Sequence, residues 1–182
     1  LISRAARQAD FPADFQLVAA MNPCPCGYAN DPARICSSCS PATVARYQRR
    51  VSGPLRDRID IQIEVPALPR QELLKGLAEA AEDSATVRRR VLAAWHIQLD
   101  RQGLANARLS QAGLARHCTL PDKGAALLTG AMDKLGLSAR ALHRILRLAR
   151  TLADLDASTQ IESRHLTEAI SYRRLDRITS PG

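Results

Sequence analysis

The chain predicts a mainly α-helical fold with a small α/β remnant at its amino end, on three observations. From about Ser84 to Arg173, apolar residues recur every three or four positions between capping residues and glycine or proline stops, as in amphipathic helices packed on one another. Ahead of that region, Phe15–Met21 is a short, nearly continuous apolar run bounded by Pro12 and Pro23, and Ile59–Val65 alternates apolar with polar residues; both read as strands. The hydrophobic share, 46% of 182 residues, suffices to pack one ordinary domain or two small ones.

The elements follow in order. The first strand ends at Asn22. Residues Ala42 to Val51 suit a helix, Gly53-Pro54 interrupts, and Leu55-Arg56-Asp57-Arg58 leads into the second strand. Pro66 and Pro69 stop that strand and mark a linker at 66–69, between a domain at 1–65 and another at 70–182. A helix then starts near Ser84, with Val87, Val91, Leu92, Trp95 and Leu99 on one face and Arg88, Arg89 and Arg90 mainly outside it. Leu109-Ser110 and Thr119-Leu120-Pro121 begin two more helices, the second ending at Gly136. Ser138 caps a helix in which Leu142, Ile145, Leu146, Ala149 and Leu152 share a face, opposite Arg140, Arg144, Arg147 and Arg150. For Arg147 and Arg150 an ordinary solvent-exposed basic face is expected. A last helix, from about Ser163 to Arg173, buries Leu166, Ala169 and Ile170.

The cysteines are the most pointed motif. Cys24 and Cys26 form one pair and Cys36 and Cys39 another, and the residues between include Gly27, Asn30, Asp31 and Pro32, which favour a chain reversal. Thiolates paired across short turns are what a tetrahedral zinc ion requires, so a structural zinc knuckle is expected. Free thiols or two disulfides are the alternatives, and disulfides require an oxidising compartment that nothing else in the chain suggests. Cys118 stands apart as a small buried hydrophobe. The four histidines, His96, His117, His143 and His165, are not clustered and are assigned to packing or surface.

The net charge is +8, and lysine occurs only at Lys75, Lys123 and Lys134, so the excess is carried by arginine. Such a surplus attracts polyanions, with nucleic acid and nucleotide phosphate as candidates and a plain solvated face as the alternative. Aromatic residues make up 3%, so stacking platforms for bases are largely absent and any nucleic-acid contact is expected to be phosphate-dominated and salt-sensitive. No run of about 18 apolar residues and no secretory leader is visible, giving a cytoplasmic setting with no membrane partner as the default. The opening Leu1-Ile2-Ser3 reads as the middle of a strand, so the chain is expected to be a piece of a longer protein.

Several motifs occur together: Ile2-Ser3-Arg4-Ala5, Leu17-Val-Ala-Ala-Met-Asn-Pro-Cys-Pro-Cys-Gly27, Ser52-Gly-Pro-Leu-Arg-Asp-Arg-Ile-Asp60, Ser138-Ala-Arg-Ala-Leu-His-Arg-Ile-Leu-Arg147 and His165-Leu-Thr-Glu-Ala-Ile-Ser-Tyr-Arg173. In combination this resembles the ComM/YifB-type, magnesium-chelatase-like AAA+ ATPases, over essentially the whole chain. The resemblance implies the C-terminal part of an AAA+ core (sensor-1 strand, zinc knuckle and following strand), then the AAA+ helical lid bundle.

It also implies roles. Asn22 matches the sensor-1 position, where a short amide orients the attacking water at the carboxyl end of a strand; a turn-favouring Asn before proline is the plain alternative. Arg58 matches the arginine finger that reaches phosphates in the neighbouring subunit, with Arg56 two residues away as the other candidate. Arg140 matches sensor 2, with Arg144 in reserve as a nucleotide contact. The Ile2–Phe15 segment resembles part of the pre-sensor-1 hairpin, which would turn Arg4 and Arg7 toward DNA. One departure is Cys36-Ser-Ser-Cys39, where relatives often carry Cys-x-Cys.

None of the nine glycines belongs to a Gly-x-x-x-x-Gly-Lys-[Ser/Thr] loop, and no apolar strand ends in Asp-Glu. The implied protein is a hexameric, ATP- and magnesium-dependent DNA motor for branch migration in natural transformation, with this part expected to be inert alone. A zinc-stabilised helical module binding DNA or protein, and a magnesium-chelatase-type subunit, are the other readings. The two strands kept here normally flank the strand entering the phosphate loop, so open edges are expected.

Overall fold

Small polar residues start most of the helices by accepting a hydrogen bond from a backbone N–H that has no partner inside the helix. The computed structural model describes residues 2–4, 7–9, 15–29, 31, 34–66 and 82–173. It divides into two units, Leu1–Val44 and Ala45–Gly182. In the first, β1 (Ile2–Arg4) pairs antiparallel with β2 (Arg7–Ala9), and Arg4 lies across from Arg7 in the register. Cysteine-bearing turns follow, and α1 (Pro41–Gln48) runs across the division. Most of the expected linker, residues 67–69, lies outside the described residues.

The second unit is helical. Ser52 caps α2 (Gly53–Arg58), with Pro54 in its first turn, where the missing N–H costs nothing. Asp83 caps α3 (Ser84–Gln102) by accepting from the Thr86 N–H at 2.8 Å. Ser110 and Ser138 do the same for α4 (Gln111–His117) and α6 (Ala139–Leu155). Between those two, α5 (Asp122–Leu135) ends at Gly136, whose φ of 61° is the left-handed cap that glycine adopts without a Cβ penalty. Glu162 and His165 cap α7 (Ser163–Ser171) reciprocally.

The core lies where α6 and α7 meet, with α4 and α5 closing it. Ile145, Ala149 and Ala153 of α6 pack with Leu166 and Ala169 of α7, with Leu128 of α5 and with Leu114 of α4. Leu142, Leu146, Leu152 and Ile170 are half-buried at its margin, so the apolar faces expected of α6 and α7 are the faces buried. A Cβ at Gly124 would lie 3.0 Å from Leu166 Cδ1, which is how closely α5 approaches α7.

Four expectations need correction. Phe15–Met21 forms no strand: it has no ladder partner, and Phe15, Leu17, Val18 and Met21 are exposed. Ile59–Val65 is likewise outside any sheet, with Ile61, Ile63 and Val65 exposed and Gln62 donating its backbone N–H to the Tyr172 carbonyl at 3.0 Å. A strand exists only against a neighbour, and among the described residues these segments have none. The apolar face expected of α3 is not its packed face either: Val87, Val91, Leu92 and Trp95 are exposed, while Ala94 and Gln98 are buried.

The fourth correction concerns Arg147 and Arg150. Arg150 is 2% exposed, pairs with Asp154 and donates to the Thr159 and Ser158 carbonyls at 3.0 and 2.6 Å. Arg147 donates from Nε and Nη2 to the Leu109 carbonyl. Both cations therefore tie α6 to loops instead of facing water. Asp154 also accepts from Arg101 and from Asn106, whose own backbone N–H is held by Gln98. That closed network docks α3 on α6.

Candidate functional site

Two groups of residues carry chemistry, one in each unit. In the first, the Cys24 carbonyl accepts the Gly27 N–H at 3.0 Å, closing a turn in which Gly27 takes φ 88°. A side chain there would be strained, so glycine is what lets the chain turn just past the first pair of thiols. The turn brings Cys24 Sγ to 3.2 Å from Cys26 Sγ and 3.8 Å from Cys36 Sγ, with Cys26 to Cys36 at 3.3 Å. All four sulfurs, Cys39 included, lie within 4.8 Å of one another. Sulfurs bound tetrahedrally at about 2.3 Å from one zinc ion sit about 3.8 Å apart, so the cluster has the dimensions of a four-thiolate metal site.

The thiols also have the right chemistry. All are free of disulfides, and Cys24 is fully buried. The backbone hydrogen bond from Tyr28, then those of the Cys24 and Cys36 thiols, lower the Cys26 pKa to about 6. The hydrogen bond with Cys26, followed by desolvation, pushes Cys36 up to about 12. The Cys26 backbone lowers Cys39, yet desolvation and the neighbouring sulfurs leave it raised on balance. One sulfur thus ionises easily while others hold their protons, because a thiol that donates to an ionised neighbour is stabilised in its protonated form and desolvation disfavours further charge. A divalent cation removes that conflict, which is the physical reason such a cluster holds metal. Asn22 precedes this turn; its Nδ2 lies 3.8 Å from where a Gly27 Cβ would stand, so the amide lies beside the cysteine-bearing turn. Its residue is exposed.

In the second unit, Arg58 is an exposed residue at the end of α2. Arg56 is half-buried, and its backbone carbonyl accepts from Gln62 Nε2 at 3.1 Å. Arg140 is exposed in the first turn of α6. Arg144, one turn on, forms an ion pair with Asp60. Arg173, 1% exposed, donates from Nη1 to the Ile59 carbonyl at 2.6 Å. Sequence reasoning missed the parts played by Asp60 and Arg173. Their partners lie 84 and 114 residues away along the chain, and no local pattern reports a contact at that separation. Backbone pairing places Arg4 and Arg7 together at the closed end of the β1–β2 hairpin.

The profile of the magnesium chelatase, subunit ChlI C-terminal family matches residues 81–173, and that of magnesium chelatase, subunit ChlI matches residues 1–73. The chain belongs to the magnesium-chelatase family. Within it, the chain is 47% identical over 178 residues to the competence protein ComM of Haemophilus influenzae, covering 98% of this chain and 34% of that protein. It is 43% identical to the YifB protein of Salmonella typhimurium and 44% identical to that of Escherichia coli, each over 97% of this chain and 34% of the relative. This magnesium-chelatase-like chain is therefore of the ComM/YifB type, AAA+ proteins, and spans about a third of the length of these relatives. No helix among its described residues is long and apolar enough to cross a membrane.

Proposed function

We propose that this chain is the sensor and lid portion of a hexameric, ATP-driven DNA motor, and that it does not hydrolyse ATP without the phosphate-binding remainder of the protein. In this reading Asn22 orients the attacking water, Arg58 reaches the phosphates held by the adjoining subunit, and Arg140 touches nucleotide from the lid. ATP with magnesium would supply the phosphoryl group whose transfer powers movement. The protein's own part is to position water and to offset the charge that spreads over the phosphate oxygens in the transition state. The four cysteines hold a structural zinc ion and keep Asn22 seated on the knuckle. Arg4 and Arg7 meet DNA phosphates from the hairpin, which accords with the arginine-rich charge of +8. The work that the family resemblance implies is branch migration of DNA during natural transformation, and a competence protein among the relatives supports that setting.

The observation that carries this reading is Arg58. It is exposed, so its guanidinium is available to another subunit, while the backbone just after it is bonded to the lid through Ile59 and Gln62. A held backbone with a free-reaching planar cation is what a trans-acting arginine needs. The test is Arg58→Ala in the complete protein. ATP binding should be preserved and ATPase turnover should fall by about three orders of magnitude or more; turnover near wild type would sink the assignment.

A magnesium-chelatase-type metal-insertion subunit is the second reading, favoured by the family profiles. The four-cysteine cluster supports the ComM-like branch over it.

A further inference from the structure

Three polar links hold the segment around Arg58, and all run to the lid. Arg144 of α6 pairs with Asp60, two residues beyond Arg58. Arg173, just past α7, donates to the carbonyl of Ile59, the residue next to Arg58. The adjoining Tyr172 carbonyl takes the Gln62 N–H, and Gln62 turns its side-chain amide back to the Arg56 carbonyl near the end of α2. Arg173 is buried, so its bond to Ile59 is shielded from competing water, and only 20% of the Arg144 side chain is exposed. Asp60 is the open end of the arrangement, with 63% of its side chain exposed.

We propose that Asp60, Arg144 and Arg173 form a latch that makes the Arg58 segment move as part of the lid of its own subunit. This rests on Arg58 acting on the neighbouring subunit's phosphates. These are positioning residues: they hold the backbone from which Arg58 reaches and have no need to touch nucleotide. Arg144 then serves Asp60, leaving Arg140 as the nucleotide contact on α6. The physical consequence is coupling. A lid that shifts when its own nucleotide changes carries Arg58 toward or away from the adjoining site, and a displacement of about 1 Å suffices to change rate by about 100-fold.

The latch is tested in the complete oligomeric ATPase with Asp60→Asn, Arg144→Gln, the double variant, and the charge exchange Asp60→Arg with Arg144→Asp. Asp60 is mostly solvent-facing, so its replacement leaves the fold standing. Each single variant should lower kcat by about 10- to 100-fold with ATP affinity and oligomer size unchanged. The double variant should be no slower than the slower single, the exchange should recover most of the loss, and none should matter once Arg58 is alanine. Single variants with wild-type kcat, or additive losses without recovery, would overturn the latch while a dead Arg58→Ala keeps the finger. An active Arg58→Ala would overturn both.

Discussion

Removing the Asp154 carboxylate is the sharpest test of how the lid is held together. Asp154 has 0% of its side chain exposed and Arg150 has 3%, while Arg101, which pairs with the same carboxylate, has 23%. Asp154→Ala strands the Arg150 cation in the interior, and Asn106 loses the acceptor it meets at 2.8 Å. Breaking a buried pair from one side costs about 3–5 kcal/mol, because the remaining charge keeps its desolvation penalty without its partner. For a unit of this size each kcal/mol is roughly 3–4 °C of melting temperature, so the variant should melt about 10–20 °C lower. Thermal and urea unfolding of the purified chain, followed by circular dichroism, measure this directly. The comparator is Glu82→Ala, which removes an exposed pair with Arg90 and should change stability by no more than about 1 kcal/mol. Equal losses for the two variants would refute the argument from burial.

Three further outcomes are expected. Metal analysis should find about one zinc per chain, lost on Cys36→Ser and released on acidification as the ligand thiolates are protonated; unchanged zinc in the variant would refute the site. In the metal-free chain, iodoacetamide at neutral pH should label Cys26 first, because a thiol with pKa about 6 is mostly thiolate at pH 7, and labelling should fall as pH drops through 6. Cys118, pushed to about 11 by burial, should stay unlabelled, and mass mapping separates the two. Ala157 adopts φ 51° after α6, whereas Gly130 lies inside α5 with open space around its Cβ position. Ala157→Gly and Gly130→Ala should each therefore raise stability by about 0.5–1 kcal/mol in denaturant titrations.

The helices were legible because their signals are local. Asp83, Ser110 and Ser138 cap where a polar side chain precedes an apolar period, Gly136 stops where a left-handed residue is needed, and α6 shows its buried stripe at Ile145 and Ala149. The clustering of the cysteines was legible for the same reason, since all four lie within one reversing stretch of chain. The strands at Phe15–Met21 and Ile59–Val65 were misread because a short apolar run or an apolar alternation records a preference for a sheet, and a sheet requires a second backbone. The packed face of α3 was missed because Gln98 and Arg101 look solvent-bound in a pattern, yet their partners Asn106 and Asp154 make them the docking side.

Residue order set the helix limits, the pairing of the thiols and the family, since each depends on neighbours within a few turns of chain or on a string of motifs. Which arginines are structural and which are free to act was decided only in three dimensions. Arg147, Arg150 and Arg173 are spent on carbonyls and a buried carboxylate, Arg144 on Asp60, and Arg58 stays exposed. The reason is physical: a guanidinium carries the same charge everywhere, and its role follows from the acceptors that folding brings within reach.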